Sequence, residues 1–340
     1  MGVQRALTIE TDSYPLAEPF HITGYVMDRT DVIRVALASE GRVGRAEASG
    51  VYYRAGEDVA GMLAAVERVR PAIEAGTGRD ALQGLLPAGG ARNALDCALW
   101  DLEAQISGSP AWVAAGLADF RPLRTTYTIS AGQPGAMAAQ ALKFADARAL
   151  KLKLTGDGLD RKRVDAVRAA RPDVWLGVDA NQGFDLRKLD ALLPTLIAAG
   201  VDLIEQPFKV GEEHLLDGLG LPIAIAMDET VQDAGDLDKI DGRADVVNIK
   251  LDKCGGLTEG LRIASAAKAL GIQVMVGNTI GSSLAMAPAM VLGQRCDVVD
   301  LDGPILLARD WTPPVTYADG LIHCPSGLWG GITTDRATRR

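Results

Sequence analysis

The chain has 340 residues, which at about 150 per domain suggests two domains or one large barrel with an appendage. Its composition, 48% hydrophobic and 23% charged with 38 Gly and 16 Pro, argues against wholesale disorder, a collagen-like repeat or a disulfide scaffold. With 35 Lys+Arg against 44 Asp+Glu the net charge is −9, which disfavours a nucleic-acid or polyanion binder while leaving the sign of any single pocket open.

The N-terminus, Met1-Gly2-Val3-Gln4-Arg5-Ala6, has no apolar signal core, and Ala6 breaks the myristoylation pattern. No apolar run approaches the ~18 residues that span a bilayer. Cys97, Cys254, Cys296 and Cys324 are widely spaced and read as reduced thiols. The expectation is a soluble cytoplasmic protein with no membrane and no nucleic-acid partner.

Residues 1 to about 120 open on alternating segments, Ala6–Glu10 and Val32–Leu37. Helices follow near 57–76 and 90–106; in the second, Ala94, Leu95, Ala98, Leu99 and Leu102 recur at helical spacing. Strands followed by helices predict a small α+β unit over 1–122, completed by the tail 310–340. From about 123 a short apolar strand, a turn and an Ala/Leu-rich helix repeat. The predicted strands are 125–130, 149–154, 174–179, 202–206, 222–227, 245–250, 273–277 and 297–301. The predicted helices lie near 134–147, 158–171, 185–200, 211–218, 235–241, 256–270 and 281–292. Eight strands alternating with helices over 123–309 predict an α/β fold, a (β/α)8 TIM barrel with an N-terminal α+β capping domain. The alternative, a doubly wound open sheet, lacks the G-x-G-x-x-G that would open a helix after the first strand.

Catalytic groups of a barrel sit at the C-terminal ends of its strands. Asp179, Glu205 and Asp228 close three successive predicted strands. Neighbouring strands lie about 4.8 Å apart, so three such carboxylates can converge on one point, and an all-oxygen set suits Mg²⁺. The plain alternative, that each acid caps the next helix, accounts for one of them more easily than for three in a row. Lys151 and Lys153 alternate with Leu152 and share the inward face of the second strand, while Lys250 ends the sixth, across the barrel. Two lysines facing each other across a bound metal can address the two faces of one carbon. Lys151 beside Lys153 would depress its neighbour's pKa and favour general-base duty. At the end of the eighth strand, Asp300 and Asp302 form a D-x-D able to hold an ammonium group. Thr128, near the end of the first barrel strand, is a further candidate substrate contact, and no histidine is assigned to catalysis.

In the order of these motifs the chain resembles the enolase superfamily, and within it the muconate-lactonizing-enzyme-like subgroup. The D-x-D is similar to that of dipeptide epimerases. The runs Leu86–Leu102 and Asn248–Glu259 resemble the bacterial L-Ala-D/L-Glu epimerases. The resemblance implies a modified barrel under a cap, with removal of a proton α to a carboxylate assisted by Mg²⁺. It implies Asp179, Glu205 and Asp228 as metal ligands, Lys153 and Lys250 as the acid/base pair and Lys151 as a tuning lysine. Asp300 and Asp302 would hold the free ammonium of a dipeptide substrate. Oligomers are common in that family, so a homo-oligomer of unfixed number belongs to the same expectation.

One departure matters. Epimerases similar to this chain carry an arginine near residue 24 that meets a glutamate side chain. Here the capping loop reads Gly24-Tyr25-Val26-Met27-Asp28-Arg29, with Gly24 and Met27 at the substrate-facing positions. An apolar loop suits a non-acidic second residue, because an unpaired carboxylate would cost a few kcal/mol. Val51-Tyr52-Tyr53 forms a second capping loop. The reading is a Mg²⁺-dependent epimerase of L-Ala-X or another L,L-dipeptide. Its rivals are N-acyl amino-acid racemisation, elimination or cycloisomerisation, none of which needs an ammonium site. A non-catalytic sugar- or amino-acid-binding barrel is the alternative of a different class.

Overall fold

The structure, a computed structural model, describes residues 4–332. Met1–Val3 and residues 333–340 of the tail, both included in the readings above, lie outside the described residues. Three strands, β1 (Ala6–Ile22), β2 (Tyr25–Ser39) and β3 (Arg42–Ser49), pair antiparallel in that order. Pro15 and Pro19 interrupt the alternation of β1, and the register shifts between Pro15 and Phe20. An edge strand tolerates proline because its outer N–H groups have no ladder to serve. The sequence pattern does not announce β3, whose inward positions are Gly44, Ala46 and Ala48. They are small because β3 lies directly on a helix: a Cβ on Gly44 would sit 2.3 Å from Ala98 O.

Four helices follow: α1 (Val59–Glu74), α2 (Arg79–Leu85), α3 (Gly90–Ser107) and the single turn α4 (Ala111–Ala114). Asp58 caps α1 by accepting from Gly61 N, and Gly108 at φ 67° closes α3 in the left-handed region. Helix α3 is buried along almost its whole length because it has cap strands on one side and the barrel on the other. Trp100 Nε1 donates to Thr258 Oγ1 at 3.0 Å, and Asp96 Oδ2 accepts from Thr258 N at 2.9 Å.

After β4 (Leu123–Arg124) come the eight parallel strands β5 (Tyr127–Ile129), β6 (Ala149–Lys153), β7 (Trp175–Asp179), β8 (Leu203–Glu205), β9 (Ala224–Met227), β10 (Val246–Lys250), β11 (Gln273–Gly277) and β12 (Val298–Val299). Each pairs with the next in chain order. The curl closes where Thr126 N donates to Val299 O at 3.0 Å. The connecting helices are α5 (Pro134–Lys143), α6 (Asp160–Ala170), α7 (Leu186–Ala198), α8 (Leu251–Cys254), α9 (Leu257–Ala269) and α10 (Ser283–Gly293). The segments predicted as helices at 211–218 and 235–241 are short 3₁₀ turns, Glu213–Leu216 and Ala234–Lys239. Gly218 and Gly220, both at positive φ, stop the first before an α-helix can propagate. The fold is therefore an N-terminal α+β unit with a curled eight-stranded parallel sheet.

The tail strands β13 (Thr316–Ala318) and β14 (Leu321–His323) form a small sheet with β4. Farther on the chain returns to α3: Trp329 Nε1 donates to Cys97 O at 3.2 Å, and Gly330 N to Asp101 Oδ1 at 2.7 Å. Inside the barrel an apolar floor of Leu203, Ala226, Val246 and Met275 lies under the polar strand ends.

Candidate active site

Register places the polar side chains. Lys153 pairs with Asp179, and Asp179 with Glu205, so three inward residues lie side by side at one level. Asp228 follows the end of β9, and Asn248 and Lys250 occupy alternate positions of β10 on the same inward face. β6 and β10 stand four strands apart in the order of eight, so Lys153 and Lys250 approach from opposite sides.

Each carboxylate leans on a lysine. Lys153 Nζ donates to Asp179 Oδ2 at 2.5 Å, Lys250 Nζ to Asp228 Oδ2 at 2.6 Å, and Lys151 Nζ to Glu205 Oε2 at 3.0 Å and also to Asp300 Oδ2. Asn248 Nδ2 holds the other oxygen of Glu205 at 2.6 Å. All of these carboxylates are buried, which opposes their charge. For Asp228 the two neighbouring ammonium groups of Lys250 and Lys253 win, and its pKa falls well below the carboxylate range. For Glu205 burial wins, reinforced by Asp179, and its pKa rises. Burial likewise opposes the charge of Lys151, but Asp300 and Glu205 outweigh it and raise its pKa.

Among the described residues no three His, Cys, Asp or Glu side chains stand close enough to form a closed metal-ligand set. The donor chemistry nevertheless fits a hard divalent cation such as Mg²⁺. Three oxygen donors lie at adjacent strand ends, and the burial and neighbouring Asp179 charge that raise Glu205 are what a cation offsets. Asn181 Oδ1, Asp228 Oδ1 and Glu229 Oε2 are buried without a hydrogen-bond partner beside them.

Above these groups lies a cavity of about 530 Å³, reached by Lys153, Lys250, Asp228, Asn181 and Glu229 from the barrel and closed by the cap. Two cap segments form its wall. The β1–β2 hairpin docks through Thr23, whose hydroxyl lies 2.7 Å from Ala180 O and 3.0 Å from Leu154 O. The loop after β3 is tied down by Ser49, whose N donates to Asp252 Oδ1 at 3.1 Å and whose hydroxyl meets that of Thr279 at 2.7 Å. Tyr25, Tyr52 and Tyr53 form a ring cluster over the mouth, with centroids 4.8 and 5.1 Å apart.

The remaining predicted residues are placed unequally. Met27 lines the cavity, whereas Gly24, at φ 72° in the hairpin turn, does not. Asp300 and Asp302 lie just past β12, buried, and neither lines the cavity. Asp300 has both oxygens engaged, with Lys151 and the Thr126 hydroxyl. Asp302 Oδ2 accepts from Thr128 N at 2.5 Å, and Asn278, which does line the cavity, reaches its other oxygen at 3.5 Å. Burial and Asp300 together raise the pKa of Asp302. Thr128 thus contributes its backbone there rather than its side chain to the cavity. Sequence reasoning passes over Asn181, Glu229, Asn248 and Lys253. The signal available was position: each falls within three residues of a carboxylate or lysine already singled out.

The cap and curled sheet of the enolase superfamily thus share one cavity between them. The chain belongs to the mandelate racemase / muconate lactonizing enzyme family: residues 4–114 match its N-terminal domain, and residues 136–338 match the enolase C-terminal domain-like family. It is 37% identical to the L-Ala-D/L-Glu epimerase of Escherichia coli over 94% of this chain and 99% of that one. A solved enolase family member from Agrobacterium tumefaciens, described as having homology to dipeptide epimerases and with sodium and L-Ala-L-Glu bound, superposes with TM-score 0.92. It is 38% identical and the match covers 96% of this chain and 100% of that one. A dipeptide epimerase from Methylococcus capsulatus, complexed with Mg and L-Arg-D-Lys, superposes with TM-score 0.89 at 30% identity, covering 97% and 99%. These relatives share the fold; the first two are described with L-Ala followed by glutamate and the third with L-Arg followed by lysine.

Proposed function

We propose that the protein is a Mg²⁺-dependent dipeptide epimerase that inverts the α-carbon of the C-terminal residue of an L-Ala-X or related L,L-dipeptide, X being non-acidic. The observation that carries the reading is the pair of lysines, Lys153 and Lys250, entering one cavity from opposite sides of three buried carboxylates. Asp179, Glu205 and Asp228 would hold the cation, which when bound supplies Lewis-acid stabilisation of the negative charge developing as the α-proton leaves. One lysine takes that proton and the other delivers one to the opposite face, so the configuration inverts without any covalent bond to the protein. Lys151 keeps Glu205 and Asp300 in place by charge. Asp300 and Asp302, with Asn278 between them and the cavity, would receive the substrate ammonium. The cap, residues 1–122 with the tail 310–340, excludes water from the barrel of 123–309.

The non-acidic X rests on the cap wall. Phe20, Ile22, Met27, Val51 and the three tyrosines present carbon. The arginine of the wall, Arg29, faces Asp31 at 3.4 Å, and Glu57 and Asp58 add negative charge. A glutamate side chain would find repulsion where a free cation is required. The specific observation favouring the second reading, N-acyl amino-acid racemisation, is that both oxygens of Asp300 are already taken. No helix among the described residues is long and apolar enough to cross a membrane, and all four cysteines are free, which suits a reducing cytoplasm. A homo-oligomer remains part of this proposal.

The test is a panel of L,L-dipeptides and N-acyl amino acids in D₂O with Mg²⁺, read by mass spectrometry and chiral analysis. Deuterium gain with inversion on L-Ala paired with apolar residues is expected. Exchange on N-acyl amino acids alone would replace the proposal with the second reading. A kcat/KM on L-Ala-L-Glu equal to the best apolar dipeptide would remove the claim about X.

A further inference from the structure

Lys253 lies three residues beyond Lys250, on the single turn α8, and is 1% exposed. A lysine buried this deeply is costly unless every donor is satisfied. Its ammonium reaches three backbone carbonyls: Asp228 O, Val231 O at 3.0 Å and Asn248 O at 3.1 Å. An ammonium has three N–H donors, so these carbonyls use them all. Asp228 Oδ1 nevertheless lies only 2.5 Å from the same nitrogen, close in charge yet outside hydrogen-bond geometry, and no other donor reaches it. The other oxygen, Oδ2, takes the hydrogen bond of Lys250.

We infer that Lys253 is a positioning residue that pins the end of β9, the middle of β10 and the Asp228 carboxylate to one buried ammonium, and thereby sets where Lys250 stands. Its donors go to the main chain just past β9, at Asp228 and Val231, and to Asn248 within β10, the strand that carries Lys250. Asp228 Oδ1 is thus held by charge while its lone pairs stay free for a cation. None of its bonds reaches β6 or β7, so Lys153 and Asp179 are held independently of it. The role is therefore one-sided. This inference rests on the reading of Lys250 as one of the two bases.

The test compares Lys253→Met with the native enzyme by following deuterium uptake separately from each epimer of a substrate dipeptide in D₂O. The ratio of the two rates is expected to shift by about a hundredfold, the cost of displacing one reacting group by about an ångström. With Mg²⁺ kept saturating for both proteins, uptake governed by Lys153 stays near its native rate. Calorimetry of Mg²⁺ binding without substrate is expected to show a Kd raised about tenfold or more, as when a ligand's hydrogen-bonded support is lost. Equal slowing from both epimers, or no change in the ratio, overturns the one-sided role, and an unchanged Mg²⁺ Kd overturns the hold on Asp228. Should Lys253→Met not fold, Lys253→Arg keeps the charge, but its planar fork does not match three converging carbonyls, and it reads the same ratio and Kd. Lys250→Ala separates the two failures. If it slows both epimers equally, the base assignment is wrong; if it is one-sided while Lys253→Met is not, only the role of Lys253 is wrong.

Discussion

The barrel side of the cavity and its cap side are built from opposite materials. On the barrel side Lys151, Lys153, Asp179, Glu205 and Asp228 are buried, charged and paired, each fixed by its register in a ladder of strands. On the cap side Tyr25, Tyr52 and Tyr53 are 47%, 39% and 40% exposed; Tyr25 is the last ladder pair at a hairpin tip, and Tyr52 and Tyr53 sit in a loop outside any ladder. Moving a barrel residue by one position would turn its charge out of the cavity and leave a partner uncompensated. Moving a cap residue changes only what the wall touches. Chemistry belongs on the first kind of scaffold and choice of substrate on the second.

That division can be broken by experiment. Lys153→Ala removes one of the two proposed bases, and exchange from one epimer should fall about 10²–10⁴-fold; full activity by D₂O mass spectrometry would show that the barrel side does not carry the chemistry. Lys151→Met leaves Glu205 and Asp300 without their shared cation. In the metal-free protein this should cost about 3–5 kcal/mol by urea unfolding, and a loss below about 1 kcal/mol would mean that the charged layer is not braced as described.

The joint between the two sides should respond to pH. Glu47 on β3 accepts from Ser282 N at the start of α10 at 2.8 Å and from Tyr14 OH at 3.1 Å. Burial raises its pKa from 4.5 to about 7, against the hydrogen bonds of Ser282 and Tyr14 and the charge of Arg34. The folded state therefore keeps a proton that the unfolded chain releases, so this contribution is full below pH 4.5 and is lost as the pH rises through about 7. Relative to Glu47→Gln, the native protein should lose about 3 kcal/mol of stability across that window, and parallel stability curves would refute it. The smallest effect is on the cap. Met27→Arg should raise kcat/KM for L-Ala-L-Glu relative to L-Ala-L-Leu by about ten- to a hundredfold, the worth of a charged hydrogen bond, with exchange chemistry unchanged.

Much of the barrel was legible in the chain because apolar strands and polar strand ends repeat with a fixed rhythm; 273–277 coincides with β11, and 149–154 overruns β6 by one residue. The two 3₁₀ turns were not legible, since their composition is helical and only glycines beyond them limit their length. Strand β3 was hidden because a strand pressed onto a helix needs small residues rather than alternating large ones. In the site, residue type and chain position picked out the carboxylates and lysines. Which lysine meets which carboxylate depends on side chains crossing between strands. Lys151 was expected to act on Lys153; the carboxylates it bonds, Glu205 and Asp300, were not named for it in advance. Gly24 was expected at the substrate, yet the hairpin turns it aside while Met27 lines the wall.

The last strand of the barrel, Val298–Val299, is too short to seal the sheet by its ladder alone. The join is stitched by residues on either side of it: Thr126 to Asp300, Thr125 Oγ1 to Leu301 N at 2.8 Å, and Thr128 N to Asp302. The two aspartates proposed to greet the substrate are thus also the thread of the seam. A descendant of this chain that gave them up for a different ligand would have to mend its own barrel in the same step, which ties the ancestry of the pocket to the integrity of the fold.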